Sequence, residues 1–343
     1  MSRTRSRTPS RGSLEQRIGE FGTGRWPRLI WVGLVVAGVV TLVCATVPVG
    51  PDWLRLVGSV AIATSYTWAL AARTGGRPLV FGGLAAVCSL LAIITDQDIL
   101  LASAAVGTAT LAAVLGVVAT VPAAGFWTDA RECVIGVACA GVGAMAAVGF
   151  EPVIEEEAFE FVGLGLAFVA AILLAFRLGA GLHGLGRRGL VVVAIGGVLL
   201  AASVTYAELL RQYGSDGLVD ELRSWVGWSR DTLGAFPRPI ASVLGVPALA
   251  YGCHMRARRR QGWWVCAFGV AATAPAATAL ANPAITVTEA LLSVAYGLVI
   301  GLVVGWVVIR LDLVLTGTRG ARSRGAERAA AVRPEPGRFS PLL

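Results

Sequence analysis

Apolar positions along this chain form long blocks separated by short polar loops. They show neither the alternation of a half-buried strand nor the one-sided stripe of a surface helix. The blocks fall at 29–47, 53–72, 78–95, 99–126, 133–150, 161–176, 189–210, 239–254, 262–281 and 284–310. Helices apolar on every side belong in a bilayer, whose ~30 Å core takes about 20 residues at ~1.5 Å each. The pattern predicts an all-α polytopic integral membrane protein of about ten transmembrane helices. Residues 1–28 form a basic cytoplasmic arm, 29–315 the transmembrane helix bundle, and 316–343 a disordered basic cytoplasmic tail rich in Arg, Gly, Ala and Pro.

One inter-block stretch, 211–238, is long and polar, and from 216 to 233 it has helical period. Leu218, Val219, Leu222, Trp225, Val226 and Leu233 fall within about 120° of arc at ~100° per residue. Asp216, Asp220, Arg223, Arg230 and Asp231 face away, and Gly234 and Pro237 end the helix. The expectation is an extracytoplasmic insertion with an outer amphipathic helix, lying on the membrane surface or over the bundle mouth.

Composition excludes a soluble domain: 56% of the 343 residues are hydrophobic, 15% are charged, and the mean hydropathy is +0.72. All 29 basic residues are Arg, which with abundant Ala, Gly and Val suggests a GC-rich bacterial genome. The net charge of +8 is sorted by side. The arm, Arg73, Arg77, Arg187, Arg188, the 256–260 run and the tail share one side. Asp52, Asp96, Asp98, Glu151, Glu155, Glu156, Glu157 and Glu160 share the other. Arg-rich loops stay in the cytoplasm, so both termini are read as cytoplasmic in the cell membrane. The loop 128–132, with Arg131 against Asp129 and Glu132, fits this rule least. Trp26, Trp31, Trp53, Trp127, Trp263 and Trp264 mark interfaces. The first block is long enough to span, so it is not read as a cleaved signal. The expected partners are the lipid bilayer and anionic headgroups at the Arg clusters, and no nucleic acid.

The last block reads Gly297-x-x-x-Gly301-x-x-x-Gly305, a groove on one face for helix packing. Its occupant is a neighbouring helix of the same chain, a second copy or another membrane partner. The same block carries Glu289, either a satisfied structural acid or a group facing a polar cavity.

Candidate chemistry is sparse. Cys44, Cys88, Cys133, Cys139, Cys253 and Cys266 lack paired spacing, and His183 and His254 flank basic loops. No metal, cofactor or catalytic residue is expected, and an enzyme is disfavoured. Gly179-Ala-Gly181-Leu-His-Gly184 matches the G-x-G-x-x-G dinucleotide-binding pattern but follows a membrane block instead of a strand, where a flexible loop near headgroups is expected. Glu155-Glu156 differs from the E-E-x-x-x-R of glutamate intramembrane proteases, because Glu160 stands where Arg is required. The first outer loop, 48–52, is too short for the acid-bearing loop of lipid-linked glycosyltransferases.

In helix count and size the chain resembles drug/metabolite-type exporters. That resemblance implies two inverted halves of five helices and a site near mid-bilayer at broken helices. On it, the substrate-path candidates are Glu289, Asn282, Pro275 and Arg55, with Arg55 the opposite-charge partner of Glu289. The leading function is a small-molecule or lipid transporter or permease. The alternative is a non-catalytic membrane scaffold or assembly partner of envelope machinery.

Overall fold

The computed structural model describes residues 25–47, 50–179, 186–214, 216–257, 261–282, 285–329 and 335–342. The protein is all-α. Its helices are α1 (Arg25–Thr46), α2 (Trp53–Arg73), α3 (Pro78–Thr95), α4 (Asp98–Val118), α5 (Phe126–Val148), α6 (Glu156–Leu178), α7 (Gly186–Tyr213) and α8 (Asp216–Leu233). A π-turn at Ala241–Gly245 leads into α9 (Val246–Arg256), then α10 (Gly262–Ala267), α11 (Val270–Thr278) and α12 (Val287–Ala329).

Among the described residues, six helices are long and apolar enough to cross a membrane: Trp26–Ala45, Pro78–Thr95, Asp98–Val118, Phe126–Val148, Glu157–Leu178 and Val287–Leu315. The chain is therefore a multi-pass integral membrane protein. Among the described residues, four of the ten expected blocks are not in this set. Helix α2 is diluted by Ser59, Thr64, Ser65, Tyr66 and Thr67. Within α7 the described stretch Val193–Ser203 is a shorter apolar helix. The last two are interrupted. Pro247 has no N–H to continue the ladder, and the Val246 N–H reaches back to the Ala241 carbonyl in the wider π geometry.

The block 262–281 was expected to kink at Pro275. The structure breaks it earlier, at Phe268-Gly269, where four bonds close over three residues, among them Gly269 N–H to Cys266 O at 2.8 Å. Helix α11 then runs through Pro275 to Thr278.

Every residue of α11 is buried, wrapped by α4, α5 and α6. Helices α4 and α5 make the most extensive contact in the molecule, at glycines. A Cβ on Gly116 would stand 2.5 Å from the Gly136 carbonyl oxygen. Backbones this close gain dispersion contacts that larger side chains would block. Thr273 Oγ1 adds a bond to the Ala113 carbonyl at 2.9 Å. Helices α1 and α3 sit outside, presenting Val36, Leu84, Val87 and Ile94 to the surroundings. A face that apolar is what lipid requires.

The Gly297/Gly301/Gly305 groove is filled from within the chain. A Cβ on Gly301 would lie 2.5 Å from Val246 Cβ, and one on Gly305 would lie 3.2 Å from Ala250 Cβ. Helix α8 has the span its periodicity predicts and ends at Gly234, whose φ of +78° suits glycine. Its C-terminal end is tied to α12, where Tyr296 Oη donates to Leu233 O at 2.8 Å and Ser293 Oγ to Phe236 O at 2.6 Å. On its apolar face Leu222, Trp225 and Leu233 are exposed, while Val219 and Val226 are half-buried.

Within 316–343, expected as a disordered tail, helix α12 continues to Ala329, and Glu335 and Arg338 of the 335–342 segment meet charged partners on the bundle.

Candidate functional site

Five segments meet at one end of the bundle, three of them bringing charge. Helix α2 ends in Arg73. After α4 the chain runs through 120–123 without regular structure, so its backbone groups are open to side chains. Helix α5 begins at Gly125 and Thr128, which bond each other, and its first two turns place Asp129 and Glu132 on one inward face. Acids suit a helix N-terminus, just as His254 and Arg256 suit the last turn of α9. Helix α10 adds Trp263 and Cys266.

These side chains are buried. Arg73 is 4% exposed, Asp129 1%, Glu132 0%, His254 6% and Arg256 4%. Arg256 is gripped on every side. Its Nη1 donates to Thr120 Oγ1 at 2.8 Å, its Nη2 to Thr120 O at 3.0 Å, and its plane stacks on Trp263 with the centroid 3.5 Å away. One residue along, the Val121 N–H donates to Glu132 Oε2 at 2.9 Å. Deeper in, His254 Nδ1 lies 3.4 Å from Asp129 Oδ2.

The 335–342 segment completes the centre. Arg256 Nη2 meets Glu335 Oε2 at 2.6 Å, and Arg338 Nη2 meets Glu132 Oε2 at 2.6 Å. Arg73 Nη1 donates to the carbonyls of Gly337 at 2.7 Å and Ser340 at 2.6 Å, and its Nε donates to Val118 O at 3.3 Å. The Leu342 N–H returns to Arg73 O at 2.8 Å. Phe339 sits edge-on to Trp31, with centroids 6.2 Å apart. Arg73 stands just past its apolar block.

Beside this centre lies a cavity of about 270 Å³ between α1, α2, α4 and α5. Trp31, Tyr66, Ala69, Arg73 and Cys139 line its wall, and Arg338, Phe339 and Pro341 close it on the segment side.

The substrate-path candidates named from sequence are not brought together here. Glu289 pairs with Arg230 at 2.9 Å, and its N–H is capped by Thr286 Oγ1 at 3.1 Å, a T-x-x-E start to α12. Arg55, expected opposite Glu289, instead pairs with Glu151. Pro275 is buried in α11 facing Ser293 and Val294, and the Asn282 carbonyl accepts from Ile285 N–H. The Gly179–Gly184 pattern lies mostly outside the described residues. Sequence reasoning passed over Arg73, Glu132 and Arg256 because each reads as an ordinary loop charge. The one signal was the 128–132 loop, acidic on the Arg-rich side.

Compared with known proteins, the chain matches no family model, no curated protein and no solved structure.

Proposed function

We propose that this protein is a ten-pass permease of the cell membrane with both termini cytoplasmic, and that its solute site is the buried charged centre and the adjoining cavity. The ten passes rest on which helix ends meet. The ends of α2, α4 and α9, the starts of α5 and α10, and the 335–342 segment share one end of the bundle. Arg55–Glu151 joins the start of α2 to the end of α5, Arg238–Glu160 joins the approach to the π-turn to the start of α6, and Arg230–Glu289 joins the end of α8 to the start of α12, all at the other end. Alternation of that kind, with the Arg-rich loops inside, supports the N-in, C-in reading.

The observation that carries the function is the burial of five ionisable side chains beside a 270 Å³ cavity. Ionisable groups within a membrane bundle are expensive and mark solute or ion paths. The native thiol of Cys139 lines that cavity and serves as the test. In a chain keeping Cys139 as its only cysteine, a small membrane-impermeant thiol reagent applied from the cytoplasmic side should label it. The 335–342 segment slows that reaction, and removing the segment speeds it. A Cys139 unreactive from both sides, with or without the segment, while Gln97→Cys in the outer loop reacts normally, would sink the permease reading. The scaffold reading would then lead, supported by α8, whose Trp225 and Trp228 are 66% and 60% exposed and suit a partner or headgroup layer.

A further inference from the structure

The segment 335–342 meets the bundle as a bound peptide meets a receptor. Each class of peptide group finds its own partner. The Glu335 carboxylate goes to Arg256, the Arg338 guanidinium to Glu132, the carbonyls of Gly337 and Ser340 to Arg73, the Leu342 N–H to Arg73 O, and the Phe339 ring to Trp31. The two charged receptors are set side by side by consecutive residues, Thr120 holding Arg256 and Val121 holding Glu132. Among the described residues Arg73 Nη2 is buried with no hydrogen-bond partner, a donor left over for a ligand. Pro336 and Pro341 restrict the segment before it binds, which lowers the ordering cost.

We propose that the charged centre is a binding site for a short peptide or peptide-like zwitterion, and that residues 335–342 are its tethered occupant. The ligand class follows from the receptor. It needs a carboxylate for Arg256, a cation for Glu132 with the spacing of Glu335 to Arg338, and backbone carbonyls for Arg73. The proposal shares the site with the permease reading but requires only binding, not transport.

The test uses the full chain with a specific protease site in place of residues 330–334, folded in detergent and then cut. A fluorescent peptide of sequence 334–343 should bind the cut and washed protein, and should bind the uncut protein far less. A peptide with Glu335→Lys and Arg338→Glu should bind roughly 30-fold more weakly or worse, since it reverses two buried charge pairs. Should cutting unfold the protein, the uncut chain carrying the same two substitutions in its own segment replaces it, and it should bind the unaltered peptide. Equal binding to cut and uncut protein, equal binding of the charge-reversed peptide, or no binding to either opened form overturns the proposal. Thiol labelling of Cys139 in the same cut sample reports on the permease separately: peptide binding with an unreactive Cys139 upholds this inference and overturns only transport.

Discussion

The two ends of the molecule handle charge in opposite ways. At the acidic end, Arg55–Glu151, Arg230–Glu289 and Arg238–Glu160 sit in partial contact with solvent, each joining neighbouring segments. At the Arg-rich end, Arg256 and Glu335 have side chains 0% and 6% exposed, and Glu132 is fully buried under Arg338. Exposed pairs contribute only ~0.2–1 kcal/mol, because water competes for both partners. Buried charges are different: the pair itself gains little net stability, but removing one member strands the other. The acidic end is fastened by contacts it can lose. The other end depends on a segment added from far along the chain: without it Arg256 would lose its carboxylate partner, while Glu132 would keep only Arg131, at 2.9 Å.

Three substitutions test that contrast, the largest effect first. Glu335→Gln leaves Arg256 as a buried cation without its anion. It should lower stability by about 3–5 kcal/mol, read as a fall in the thermal unfolding midpoint in detergent. A midpoint within error of the parent protein would mean that the centre is wetter than its burial indicates. Glu132→Gln keeps the Val121 contact but removes the charge facing Arg338. A cost of roughly 1.5–3 kcal/mol is expected, and it should shrink when Arg338→Gln is added, as a double-mutant cycle would reveal. Additive effects would show that the two groups do not interact. Glu289→Gln should cost under ~1 kcal/mol, and the difference should fade in high salt. A larger, salt-insensitive loss would place Glu289 in a dry environment and erase the contrast between the ends.

Much of the architecture was legible in the sequence, because lipid imposes a simple rule on side chains. Unbroken apolar blocks gave helices, and the stripe at 216–233 predicted α8 with its Gly234 stop. The break at Phe268-Gly269 was not legible, since Pro275 is the stronger local signal and the tightened turn depends on packing against Leu249. The candidate site was hidden for a different reason. Arg73, Thr120, Glu132, Arg256 and Glu335 come from five separate stretches, and no periodicity links them. The segment that joins them is polar and proline-rich, so composition alone reads it as disordered. The mark it did leave was an anomaly: acids at Asp129 and Glu132 where the topology rule asks for arginine. Glu132 turns out to be held between Arg338 and its neighbour Arg131.

Only five residues, 330–334, separate Ala329 from Glu335. A stretch of that length reaches at most ~20 Å. An occupant on so short a leash meets its site at an effective concentration on the order of millimolar. A free ligand of equal intrinsic affinity would have to approach that level before displacing it. A single cut within those five residues, by contrast, would let the occupant dilute into the surrounding volume. Occupancy of the centre would then change by orders of magnitude with every contact in the bundle left intact.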